Sequence, residues 1–197
     1  VRPLPFSDRT LANLPTLAIS RLINAATQST RGVDAEINYG FSLGGGDLSL
    51  RTLVSYQPSL KTQVLSGAQA TNAAGVAGAV GIAGFSKWRV NLGINYTLGG
   101  LSVTLTERWQ SKQQPSEREL FVDLRPDIPA YAYTDISLSY EIGGLGGEIA
   151  PFFTVENLFD KDPPIIGASD VPGLSPVTPG GYDVFGRTFT AGVKFKF

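Results

Sequence analysis

The chain has 197 residues, 23 of them Gly and 13 Pro, and 16 basic against 17 acidic side chains give a net charge of −1. His and Cys are both zero, which excludes Ser-His-Asp and Cys-His catalysis, zinc sites on Cys or His, and disulfides. The balanced charge lacks the basic excess of a nucleic-acid binder, and charged residues are only 17%, against about 25% in a typical domain.

Taken in chain order, the segments show a period of two. Segment 17–26 is the least regular: Leu17, Ile19 and Ile23 are apolar, but Arg21 shares their face. In 31–43, Val33, Ala35, Ile37, Tyr39, Phe41 and Leu43 alternate with Gly32, Asp34, Glu36, Asn38, Gly40 and Ser42. In 47–57, Leu48, Leu50, Val54 and Tyr56 share a face with Thr52. In 87–98, Trp88, Val90, Leu92, Ile94, Tyr96 and Leu98 form one face, and Lys87, Arg89, Asn91, Gly93, Asn95 and Thr97 the other. Side chains alternate across a strand, so this is one apolar and one polar face. Gly99-Gly100 then reads as a two-residue hairpin turn. In 101–110, Leu101, Val103, Leu105 and Trp109 resume the apolar face, broken by Glu107. Pairing Leu98 with Leu101 sets Ile94 opposite Leu105 and Val90 opposite Trp109. Segment 132–142 alternates Ile136, Leu138, Tyr140 and Ile142 with Asp135, Ser137, Ser139 and Glu141. Segment 148–159 contains Pro151, which predicts a bulge or local disruption. Segment 186–197 alternates Phe189, Ala191, Val193, Phe195 and Phe197 with Thr188, Thr190, Gly192, Lys194 and Lys196. The pattern predicts about eight strands of roughly 10 to 13 residues.

Tight Gly-rich links at 44–46, 99–100 and 143–147 alternate with long ones at 58–86, 111–131 and 160–185. That is the arrangement of an outer-membrane β-barrel. The short link 27–30 falls on the long-loop side. No apolar run reaches the roughly 20 residues of a spanning helix. Trp88 and Trp109 lie toward the long loops, and Tyr96, Tyr140, Phe195 and Phe197 toward the turns, as two interfacial girdles would require. A soluble sandwich or barrel also alternates, but its strands are usually about 5–6 residues long. The small-residue segment 68–84 reads as a mobile loop without stable structure. Tyr131 and Tyr133 sit where a loop re-enters the strands, placed to stack on a ligand or to anchor at an interface.

The inward charges (Asp34, Glu36, Arg51, Lys87, Arg89, Arg108, Asp135, Glu141, Glu156, Lys194 and Lys196) read as a solvated wall with local ion pairs, or as a lining for a polar solute. Asp160, Asp162 and Asp170 share a loop but lack a cation-loop spacing. No residue therefore reads as catalytic, cofactor-binding or metal-ligating, and the ligand-contacting residues are unknown from the sequence.

Two stretches go beyond pattern. Val155-Glu156-Asn157-Leu158-Phe159-Asp160-Lys161 resembles the V-x-N-L-F-D-K segment of TonB-dependent outer-membrane receptors. The end of the chain, 186–197, resembles the last strand of that family, and Thr190, Gly192, Phe195 and Phe197 are similar to the signal read by the barrel-assembly machinery. Thr30-Arg31-Gly32-Val33-Asp34 resembles a further family segment, with Asp34 where Glu is commoner.

The resemblance implies an all-β chain: a transmembrane antiparallel β-barrel of which residues 1–197 are about eight C-terminal strands of a 22-stranded whole. The plug domain would lie outside this chain, and the missing Met agrees with a piece of a longer protein. The implied function is a ligand-gated, TonB-energised importer of a scarce solute such as a siderophore-type chelate, in the outer membrane of a Gram-negative bacterium, and not an enzyme. Implied partners are outer-membrane lipid, the assembly machinery, TonB through an N-terminal part outside this chain, and a small molecule at the extracellular loops. Two other readings stay open. One is a complete eight-stranded barrel acting as passive channel or anchor, whose narrow interior the inward Gly and Ser would underfill. The other is a soluble β-rich binding domain.

Overall fold

A computed structural model describes residues 10, 27–63, 65, 67–79, 82–115, 127–144, 147–164 and 182–196. The predicted strand at 17–26 lies outside them. The strands are β1 (Thr27–Leu43), β2 (Gly46–Gln63), β3 (Thr71–Asn72), β4 (Gly78–Ala79), β5 (Ile82–Ala83), β6 (Trp88–Leu98), β7 (Leu101–Gln110), β8 (Tyr131–Tyr140), β9 (Ile142–Gly144), β10 (Gly147–Glu156) and β11 (Thr188–Lys196). There is no helix among the described residues. The main sheet runs β1-β2-β6-β7-β8-β10-β11, with β3 beside β2 and β9 beside β10, and every neighbouring pair is antiparallel. β1 and β11 do not pair with each other, so the sheet is open. β6, β7, β8 and β10 have 10 or 11 residues each, the length with which a tilted strand crosses the hydrocarbon core, about 9–11 residues.

The register carries the predicted faces across the sheet. Ile94 pairs with Leu105 and Val90 with Trp109, and the next strands continue the row with Leu50 and Ile136. The opposite face continues Arg51–Gly93–Thr106–Asp135. Because pairing residues point the same way, one sheet-wide face is apolar and the other polar. The apolar face is left uncovered: Val33, Ile37, Tyr39, Phe41, Leu138, Phe153, Phe189 and Phe195 are exposed. A contiguous exposed apolar surface of this kind needs a nonaqueous neighbour. At the long-loop end Trp88 stacks on Tyr56 with ring centroids 4.2 Å apart, and Trp109 shares that level, as a girdle requires. Toward the turns, Tyr140 and Phe195 are exposed and Tyr96 donates to the Leu43 carbonyl at 3.0 Å.

Three expectations are corrected. Residues 27–30 are not a link but the start of β1, and 58–63 belong to β2 rather than to a loop. A bulge makes this possible: the register shifts between Arg31 and Val33, so that Gln57 and Pro58 face Gly32 alone. A bulge tolerates Pro, which has no N–H to give. A Cβ on Gly32 would lie 2.9 Å from the Tyr56 carbonyl oxygen, so Gly is needed there. Side-chain bonds then extend the pairing, with Gln57 Nε2 donating to Thr30 Oγ1 at 2.8 Å and Gln28 Nε2 to Thr62 Oγ1 at 3.3 Å.

The segment 68–84 is folded in its described part. Asn72 Oδ1 accepts from the main-chain N–H groups of Leu60 and Ala74, and the Ala73 N–H reaches the Leu60 carbonyl. The segment then pairs with Phe85 and Gln114, burying Ala73, Ala74 and Val76. A Cβ at Gly84 would stand 1.9 Å from the Val76 carbonyl oxygen, so the small residues permit backbone-to-backbone packing.

The third correction concerns Tyr131 and Tyr133, whose positions pair with Gln110 and Arg108 on the polar face, away from the apolar girdle. The disruption expected at Pro151 is present without a bulge. β10 keeps one register against β8 and β9, but Glu141, between them, leaves the sheet pairing and donates its N–H to the Gly100 carbonyl instead.

Candidate functional site

The polar face is laced by local pairs. Arg51 meets Glu36 at 3.0 Å, Arg108 meets Asp135 at 3.0 Å, and Lys196 meets Glu148 at 3.2 Å. All are solvent-exposed in part, and such pairs contribute little stability. Asn95 donates to Thr104, and the Ser137 and Thr154 hydroxyls pair. On the apolar face the single carboxylate of β7, Glu107, accepts from the Thr134 hydroxyl opposite it.

At the long-loop end, the described loops fold together over the polar face. Gln113 joins them: its Nε2 donates to the Val76 carbonyl at 3.0 Å, its Oε1 accepts from the Tyr182 hydroxyl at 3.0 Å, and its main chain pairs with Ile128. Ile128, Tyr133 and Tyr182 form a buried apolar cluster with Tyr131 and Ala77 against it. Tyr131 meets Tyr182 edge-on at 5.2 Å, and the Lys161 ammonium lies 4.6 Å from the Tyr131 ring. Burial pushes the Tyr182 phenol up to about 12, against a smaller opposing pull from the Gln110 side chain. Tyr182 therefore keeps its proton and serves Gln113 as a donor.

Beneath this roof is a cavity of about 280 Å³ lined chiefly by Phe85, Ser86, Arg89, Arg108, Gln110 and Tyr133. Arg89 sits with its guanidinium carbon 5.7 Å from the Phe85 ring, and that of Arg108 lies 5.8 Å from the Tyr133 ring. The register explains why they meet: Arg89 pairs with Gln110 and Asn91 with Arg108, so the two arginines are diagonal neighbours on one face. Three buried side-chain atoms, Ser86 Oγ, Gln110 Nε2 and the Tyr133 hydroxyl oxygen, make no close hydrogen bond among the described residues, and all three residues line this cavity. The Tyr133 hydroxyl has the Asp183 main chain, and the Gln110 side chain has Tyr182, as hydrogen-bonding neighbours, so Ser86 Oγ is the atom with neither among the described residues.

The sequence-predicted residues lie elsewhere. Val155 and Glu156 end β10, and Asn157 to Asp160 make the turn that follows. Asn157 is 1% exposed with φ 52°, and its amide bonds both main-chain groups of Lys161, at 2.9 and 3.1 Å. Its own N–H reaches Asp135 Oδ1 at 2.8 Å, and the Leu158 N–H reaches the Thr134 carbonyl. Asp160, with φ 53°, accepts from the Arg187 N–H at 2.9 Å and holds the Arg187 guanidinium at 3.6 Å. Phe159 is exposed. The motif is thus a structural turn that ties β8, β10 and the entry to β11 together. Thr190, Gly192 and Phe195 lie on β11, and Phe197 lies outside the described residues. Thr190 and Gly192 point to the polar face and Phe195 to the apolar one. A Cβ on Gly192 would stand 2.6 Å from the Phe152 ring that covers it. Asp160 is engaged by Arg187, and Asp170 lies outside the described residues.

Ser86, Gln110 and Gln113 carry no motif in the sequence. Arg89 and Arg108 were readable as inward-facing. The available signal was their diagonal placement at the long-loop end of one hairpin.

Long antiparallel strands with an uncovered apolar face, a polar inner face, tight turns at one end and folded loops at the other define the wall of an outer-membrane β-barrel. A model described as TonB dependent receptor-like, beta-barrel, matches residues 4–158, and the chain belongs to that family. Members of the family are outer-membrane transporters and not enzymes. No curated protein and no solved structure matches the chain.

Proposed function

We propose that residues 1–197 form the C-terminal portion of the barrel of a ligand-gated importer, energised through TonB, in the outer membrane of a Gram-negative cell. The roofed end is the extracellular, solute-capturing end, and the Gly-rich turns are periplasmic. The carrying observation is the loop roof folded over the polar face, with unpaired polar groups beneath it. The open sheet edges at β1 and β11 support a portion of a larger barrel. The solute is scarce and small, of the kind a siderophore-type chelate exemplifies. Thr190, Gly192, Phe195 and Phe197 serve as the signal for the barrel-assembly machinery, and TonB engages a part of the receptor outside this chain. In this reading the roofed loop end holds and orients the solute, while work done by TonB opens the path.

Formaldehyde cross-linking of the full-length receptor in intact cells tests this. A TonB adduct in the outer-membrane fraction is expected, and Phe197→Ala lowers the amount of receptor reaching that fraction. A receptor found outside the outer membrane, or one giving no TonB adduct, contradicts the reading.

A further inference from the structure

We propose that the cavity beneath the loop roof binds a single carboxylate of a small solute, an assignment that rests on the importer reading. The first argument is charge. Among the described residues, two guanidinium groups and no carboxylate line the cavity. Arg108 is held by Asp135 at 3.0 Å, whereas Arg89 makes no ion pair among the described residues and has the Phe85 ring as its charge-stabilising contact. Among the described residues the exposed Arg89 guanidinium is therefore left without an ionic partner. A carboxylate matches that single charge, and a phosphate, at nearly two charges, does not.

The second argument is hydrogen bonding. Native interiors leave few buried polar groups unpaired, because each one has lost its water without gaining a partner. Here Ser86 is 2% exposed with its hydroxyl unpaired among the described residues, and the Tyr133 hydroxyl (Tyr133 is 5% exposed) and Gln110 Nε2 have only the Asp183 main chain and Tyr182 beside them. Hydroxyls and an amide N–H are all able to donate, and they gather on the cavity that holds Arg89. Donors converging beside a guanidinium are complementary to a carboxylate, which only accepts.

The third argument is size. At the liquid volume of water, about 280 Å³ holds roughly nine non-hydrogen atoms. That admits a compact carboxylate, or one arm of a larger solute, with the Phe85 and Tyr133 rings available to its apolar part.

The experiment uses the purified full-length receptor in detergent, with binding followed by isothermal titration calorimetry. The probes are benzoate, neutral benzamide and inorganic phosphate. Saturable benzoate binding is expected, with benzamide and phosphate about ten-fold weaker or more, since a charge-assisted bond is lost or mismatched. Arg89→Gln weakens benzoate by about ten-fold or more, and Ser86→Ala by a smaller factor. Arg51→Gln, on the same face but outside the cavity, leaves benzoate affinity unchanged. Retained heat-modifiable migration confirms that each variant is folded, and a variant that loses it is replaced by Arg89→Lys, which retains part of the affinity. No saturable benzoate binding up to about 10 mM, equal binding of benzamide or phosphate, or unchanged affinity in Arg89→Gln would overturn the proposal. A receptor that forms the TonB adduct but ignores benzoate refutes the carboxylate assignment alone. One that binds benzoate but forms no adduct refutes the importer reading instead.

Discussion

Asn157 is the residue on which the turn after β10 depends. Both ends of its amide are used on Lys161, its N–H on Asp135, and its left-handed φ of 52° is a conformation Asn adopts more readily than most residues. Asn157→Ala removes two bonds in a site that is 1% exposed, leaving main-chain groups unpaired. The expected loss is about 1–3 kcal/mol. It is read as a lower temperature for the folded-to-unfolded band shift of the unboiled receptor on a gel. Phe159→Ala, at a position 73% exposed, leaves that temperature unchanged. The sequence showed the motif but not its work, because the partners Asp135 and Thr134 lie on another strand. Gly84 is the same lesson in the loops. Its need for a bare Cα comes from the Val76 carbonyl 1.9 Å from where a Cβ would be, a contact no local pattern encodes.

The hairpin of β6 and β7 was legible almost whole. Alternation gave its faces, Gly99-Gly100 gave its turn, and Gly99 has the φ of 57° that such a turn requires. The ends of β1 and β2 were not legible, because the bulge at Gly32 changes the register midway and lets β2 continue past Pro58. Strand period reads faces well and reads termini poorly where bulges intervene. The two faces of β6 make separate demands. Ile94→Arg places a charge on the apolar face and costs about 2–4 kcal/mol near the bilayer midplane. Asn95→Arg places it on the polar face at the cost of one hydrogen bond to Thr104. Urea titration of the refolded receptor in lipid is expected to separate the two variants clearly. Equal destabilisation contradicts the facing.

At the scale of the molecule, a wall and a roof divide the work. The wall follows from period two and was readable. The roof follows from Gln113, Tyr182 and three loops distant in sequence, and it carries the cavity with Arg89 and Ser86. The small residues of segment 68–84 suggest no stable structure, yet in its described part they are what allow the backbone to pack. The apolar face meets lipid and the polar face meets water. The chain has no Cys, so single cysteines for spin labels can be introduced at Asn91, Leu92, Gly93, Ile94 and Asn95 in the full-length receptor in bilayers. The most direct measurement is the accessibility of these labels to oxygen, which partitions into lipid, and to a water-soluble nickel chelate. Strict alternation is expected, with Leu92→Cys and Ile94→Cys favouring oxygen and Asn91→Cys, Gly93→Cys and Asn95→Cys favouring nickel. Uniform access to nickel at all five positions would contradict it.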